Sequence, residues 1–245
     1  MPFFPAIQDV LNQCLWLLGH GLCHQLPARS YDFGGVTWAV CARCSGIYVG
    51  LTFALIALLL VYKGKQRHGL MPWYYLLFLA GGLLFMGADG LSSYLYLRET
   101  TNLLRWVTGI GMGASLAPIV YFLAINNLAQ HSSDQPVLGG TKGGKKSGKK
   151  SERVRPWLAI AASMLLAFLM VYPAGSWLGA LTAVIAALAI WATYAALALV
   201  LLGTRRPFYR SIASWRDGLL PLALAAIIGL ALILALAFLY VTILA

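Results

Sequence analysis

Cys41-Ala42-Arg43-Cys44 places two thiols three residues apart, and Cys23-His24 stands upstream of them. On a helix, positions i and i+3 share a face, so Cys41 and Cys44 could act together. With Cys23 and either His24 or His20 they make a Cys3His donor set, the kind that soft metals such as zinc or iron take up in tetrahedral sites. A CxxC pair is equally a redox couple, and Arg43 with the positive end of a helix would favour the Cys41 thiolate. The third alternative is static, either a disulfide or packed small thiols fastening the N-terminal segment to the first apolar run. Cys14 reads as a buried packing residue. His68 and His131, in loops, read as ordinary surface histidines.

A second group of chemistry-bearing residues lies nearby in the topology. Asp89 is the one acid well inside an apolar run, and an ionisable residue there is a functional candidate, usually paired with an opposite charge. Arg105 or Arg43 is its expected partner. Arg29, Arg43 and Arg105 could hold an anionic substrate, because the guanidinium fork suits phosphate and carboxylate. Asn102 stands beside Arg105. His24, Arg43, Asp89, Asn102 and Arg105 are the candidate catalytic residues. Cys23, His24, Cys41 and Cys44 are the candidate metal ligands.

These residues must be positioned by membrane helices. Of the 245 residues, 60% are hydrophobic and only 10% charged, against about 25% charged in a soluble domain. The mean hydropathy is +0.78. The net charge of +11 comes from basic residues in short gaps between apolar runs, the pattern of loops facing an anionic leaflet and not of a nucleic-acid surface. Six runs are near the length of about 20 residues that a bilayer requires: Trp38–Tyr62, Met71–Leu97, Leu103–Ala129, Trp157–Trp177, Leu178–Leu202 and Asp217–Leu244. Several are framed by Trp38, Trp73, Trp106, Trp157 or Trp177, residues that favour the headgroup level. Before them, Ile7, Leu11, Cys14 and Leu18 oppose Asp9, Asn12, Gln13 and His20, which predicts an amphipathic helix lying in the interface. No removable signal peptide is expected. The fold class is therefore all-α, a polytopic membrane protein of about six spans plus an interfacial N-terminal helix.

Residues 1–37 form the interfacial segment, 38–129 a three-helix unit carrying the motifs, and 157–245 an Ala/Leu-rich three-helix unit. Between the units, 130–156 is rich in Gly, Ser and Lys and reads as a flexible linker. Of the 18 basic residues, 14 fall on one side of a six-span arrangement and only Arg29, Arg43, Arg98 and Arg105 on the other. That asymmetry predicts a cytoplasmic linker and an extracytoplasmic motif cluster in a multi-pass cell-membrane protein. Gly46-x3-Gly50 and Gly109-x3-Gly113 read as close-packing positions between helices.

The strings Cys23-His24-Gln25-Leu26-Pro27-Ala28-Arg29-Ser30 and Cys41-Ala42-Arg43-Cys44-Ser45-Gly46-Ile47-Tyr48-Val49-Gly50, then Asp89-Gly90 and Asn102 to Gly109, resemble a family of prokaryotic membrane proteins catalogued as domain of unknown function 2085. The resemblance covers roughly residues 20–130 and implies an integral membrane protein without assigning a reaction. Three functions compete. One is a metal-dependent or thiol-redox membrane enzyme acting on an anionic lipid or a quinone. The others are a transporter with a polar gate, and a non-catalytic membrane subunit braced by a disulfide or a structural metal. Nothing in the composition specifies an oligomer.

Overall fold

The computed structural model describes residues 5–33, 35–62, 72–129, 149–170, 176–203 and 219–244. The linker core 130–148, the turn at Pro173 and Gly175, and His68, His131 and Asp217 lie outside these residues. The chain folds as an all-α helical membrane protein. Its helices are α1 (Pro5–His20), α2 (Ala42–Tyr62), α3 (Trp73–Tyr94), α4 (Asn102–Ala129), α5 (Lys149–Leu169), α6 (Ser176–Gly203) and α7 (Leu219–Leu244). Five of them, α2, α3, α4, α6 and α7, are long and apolar enough to cross a membrane. The apolar part of α5, Val154–Leu169, is shorter. This helix begins at Lys149, inside the segment read as linker, so its first two turns carry the basic residues. Large apolar side chains face outward along the helices, among them Leu60, Leu84, Ile227 and Phe238, as lipid-facing surfaces do.

Helix α2 is the hub. It packs on α4 on one side and on α5 and α6 on the other. The α2–α4 contact is made by glycines: a Cβ on Gly46 would lie 2.6 Å from the Trp106 carbonyl oxygen, and one on Gly50 2.6 Å from that of Ile110. The facing Gly109 and Gly113 sit equally close to the α2 backbone. With no side chain between them the backbones touch, which is how small residues join helices where lipid removes the hydrophobic drive. The two halves of the chain are also tied by Thr52, whose hydroxyl donates to the Ala189 carbonyl of α6 at 3.1 Å.

The first span starts later than expected. Residues Asp32–Phe33 and Val36–Thr37 pair as a two-stranded antiparallel hairpin, β1 and β2. Gly35 turns it with φ +85°, and its N–H donates to Asp32 Oδ1 at 2.9 Å. Trp38, Ala39 and Val40 follow in a buried connection to α2. Trp38 and Trp106, expected at the headgroups, are instead inside the protein, 2% and 0% exposed, with rings 5.1 Å apart under the hairpin. The two rings meet edge to face, and neither indole N–H has a hydrogen-bond partner among the described residues. Helix α1 lies across this region on Leu11, Leu15 and Leu18. Cys14, predicted to be buried, is exposed on its flank.

Candidate functional site

The N-terminal ends of α2 and α4, the C-terminal end of α3 and the loop after α1 meet at one end of the bundle. Helix α1 stops at His20, whose ring sits 4.0 Å from that of Trp16 and 4.5 Å from that of Tyr240. The loop then turns at Gln25, in the left-handed region at φ +48°. The side-chain amide of Gln25 donates to the carbonyls of Trp16 and Ala39, each at 2.8 Å. This one side chain fastens the loop over the start of α2, and it carries Cys23 with it.

Cys23, Cys41 and Cys44 come together, their sulfurs all within 4.8 Å of one another. Cys41 and Cys44 share a helical face, as their spacing requires. The Cys41 backbone N–H donates to Cys23 Sγ at 3.4 Å. His24 does not join them, because the turn at Gln25 leaves it exposed. His20 is held elsewhere, its Nδ1 3.3 Å from Gln25 Oε1. Cys41, which the redox reading expected to be lowered, is raised instead. Hydrogen bonds from the Cys41 and Cys44 thiols hold Cys23 far below the ordinary thiol range, while donating to Cys23 pushes Cys41 up. Arg43 cannot activate Cys41 as predicted, since its guanidinium reaches the other way, to Asp89.

Asp89 is 2% exposed and fully engaged. Arg43 Nη2 donates to Oδ2, Arg98 Nη2 donates to Oδ1 at 3.1 Å, and the Thr108 hydroxyl is 3.4 Å from Oδ2. Arg43 was an expected partner, but Arg98 was missed and Arg105 does not pair with Asp89. The cause is the turn that ends α3. Tyr96 takes a left-handed conformation at φ +55°, Tyr96 N donates to Ser93 O at 3.4 Å, and Leu97 N donates to Ser92 O at 3.0 Å. This is a Schellman cap with tyrosine where glycine is usual. It folds the chain back so that Arg98 covers the negative end of α3, where its Nε also donates to Ser92 Oγ at 3.0 Å.

Asn102 and Arg105 form the adjoining part. Arg105 Nη1 donates to Asn102 Oδ1 at 2.9 Å, and Asn102 Nδ2 donates to the carbonyls of Ala28 and Ser30 at 3.3 and 3.4 Å. Asn102 thus pins the Arg29-bearing loop to α4. Arg43 lies between Cys41 and Cys44 in the chain, so the arginine group and the thiols share the start of α2. A separate cavity of about 710 Å³, lined by Asn12, Gln13, Trp16 and Leu17 of α1 with Gln25, Pro27, Ser30, Thr37 and Trp38, opens between α1 and the hairpin, and none of the thiols or arginines lines it.

A family model described as "Predicted membrane protein (DUF2085)" matches residues 23–119, the stretch that holds the three thiols, the four arginines, Asp89 and Asn102. An uncharacterized protein of Methanocaldococcus jannaschii is 35% identical over 130 residues, covering 51% of this chain and 80% of the relative. One from Methanothermobacter thermautotrophicus is 34% identical over 103 residues, covering 42% of this chain and 86% of the relative. No solved structure matches the chain.

Proposed function

Since the chain belongs to the DUF2085 family of predicted membrane proteins, we propose that it is a membrane enzyme centred on a metal held by Cys23, Cys41 and Cys44, acting on an anionic lipid or a quinone at the extracytoplasmic face. The carrying observation is the convergence of three sulfurs within 4.8 Å with no histidine or carboxylate among them. Sulfurs bound to a tetrahedral zinc at about 2.3 Å lie about 3.8 Å apart, so a small contraction of this trio suits zinc, and three thiolates equally suit iron. Three protein ligands leave one position open, the feature that separates reactive from structural zinc sites. Such a metal supplies Lewis-acid chemistry.

The chain's own residues do the rest. Arg29, Arg43 and Arg105 hold the anionic group, and Asn102 fixes Arg105. Asp89, closed between two arginines, positions them and does not itself meet the substrate. The charge asymmetry of the loops supports the extracytoplasmic placement. Transport has less support, since the buried Ser163 and Thr182 of the second half bond carbonyls of their own helices. Thiol exchange is the second reading, favoured by the approach of the same three sulfurs, two of them in a CxxC pair.

Metal analysis of the full chain purified in detergent, beside Cys41→Ser and His24→Ala, tests the proposal. About one zinc or iron per chain is expected in the parent and in His24→Ala, and none in Cys41→Ser. A parent without metal, but with two of the three thiols blocked to alkylation until reduced, replaces this reading with the redox one.

A further inference from the structure

The cavity between α1 and the hairpin stands apart from the thiols and arginines, and its lining is of another kind. Its volume of about 710 Å³ falls within the range of small-molecule sites, about 300–1,000 Å³. Among the described residues no ionisable side chain lines it. Asp9, one turn before Asn12 on α1, is exposed and stands outside the lining. Asp32 lies behind Thr37 and is already engaged, Oδ2 taking the Thr37 hydroxyl and Oδ1 the Gly35 N–H, each at 2.9 Å. An anion therefore meets no cation here, and a cation meets no carboxylate in the lining.

The hydrogen bonds already made decide what the lining has left to offer. A hydroxyl carries one proton. Ser30 gives its proton to the Leu26 carbonyl at 3.2 Å, and Thr37 gives its own to Asp32. Both therefore present only oxygen lone pairs to a ligand. Gln25 spends its amide protons on the carbonyls of Trp16 and Ala39. Asn12 is tied to Gly35 O and to the Thr37 N–H, yet an amide so engaged keeps an N–H and a lone pair. Gln13 is exposed and has no hydrogen-bond partner among the described residues, so its whole amide is free. Trp38, 2% exposed with its N–H buried, shows the cavity ring carbon, and Trp16 adds a half-exposed indole. A matching ligand is neutral, donates as well as accepts, and has an apolar face. Going beyond the reading above, we propose that this cavity binds a neutral glycosyl group. Sugar hydroxyls both donate and accept, and the C–H face of the ring lies against indole. A quinone carries acceptors alone and leaves the Ser30 and Thr37 oxygens unanswered. The sugar can be the headgroup of a glycolipid or a free saccharide, since the lining recognises the same chemistry in both.

The test immobilises the full chain in micelles of a dodecyl polyoxyethylene ether, which has no sugar, and adds a trace of radiolabelled dodecyl maltoside. Saturable binding is expected, displaced by unlabelled dodecyl maltoside and not by dodecylphosphocholine, which has the same alkyl chain. Gln13→Leu removes the free amide at a side chain without a protein partner, so the fold is not at stake. It is expected to weaken binding about tenfold, as is Trp16→Ala. Displacement by excess maltose assigns the site to a free saccharide, and its failure, with the alkyl maltoside still displacing, assigns it to a glycolipid. Equal displacement by dodecylphosphocholine overturns the proposal, because the alkyl chain alone then binds. Equal displacement by a short-chain quinone overturns it too, since donors on the ligand then count for nothing. So does a Gln13→Leu, Trp16→Ala double variant that binds as the parent does. The assay reads neither metal nor thiol state, so a parent without metal that still binds maltoside upholds this site while the metal reading fails.

Discussion

Both oxygens of Asp89 are in use, and its burial means that water cannot replace a lost partner. Removing one side of a fully buried ion pair costs about 3–5 kcal/mol because the other charge is stranded. Here Arg43 and Arg98 keep 25% and 48% of their side chains exposed, which softens the loss. Asp89→Asn preserves the shape and removes the charge. It is expected to lower stability in detergent by about 2 kcal/mol, measured by reversible denaturation. An unchanged midpoint would show that the arginines find other partners and that Asp89 does not set their directions. At the same scale, the thiol trio depends on a glutamine that no metal-site pattern names, since Gln25 contributes no ligand and yet decides where Cys23 stands.

Helix contacts convert these residue positions into a site. Helix α2 brings Arg43 and Cys44, while α4 brings Asn102, Arg105 and Thr108, and the glycine contact between them sets their separation. A methyl group on Gly50 would lie 2.6 Å from a carbonyl oxygen of α4, so one helix must give way. Gly50→Ala is expected to cost about 1–3 kcal/mol, the range for overpacked interiors, and to weaken metal retention with it. Gly81→Ala in α3 is the contrasting case. A Cβ there meets nothing within 4 Å, so the same substitution is expected to be neutral or to stabilise by up to about 1 kcal/mol through helix propensity. Thermal melts of the two variants side by side check both. Equal effects would mean that the glycines of α2 serve no contact.

Across the whole molecule, the proposed extracytoplasmic placement of the site rests on where the sequence puts its basic residues. Glu99 is exposed at the same end as the thiols and arginines. A Glu99→Cys variant lacking Cys14 is expected to react with a membrane-impermeant maleimide from outside intact cells, and labelling only after permeabilisation would invert the arrangement. Much of this architecture was legible in the sequence, because apolar length and small-residue spacing are local signals. The shared face of Cys41 and Cys44 was legible for the same reason, whereas the approach of Cys23 depends on the Gln25 turn. Less legible were the positions that turns decide. The hairpin was signalled by Gly34-Gly35 between apolar and aromatic residues, but the apolar Trp38-Ala39-Val40 run concealed it by extending the span. The Arg98–Asp89 pair depends on a tyrosine in a left-handed turn, a conformation that no tyrosine advertises. His24 lost its expected role to a similar turn at Gln25. That same turn has a mechanical consequence. One amide bridges the end of α1 to the threshold of α2, and the Cys41 N–H also holds the Cys23 sulfur. The sulfur triangle is therefore strapped to both helices, and a tilt of α1 imposed by a thinner or more crowded bilayer would load it at the Cys23 corner.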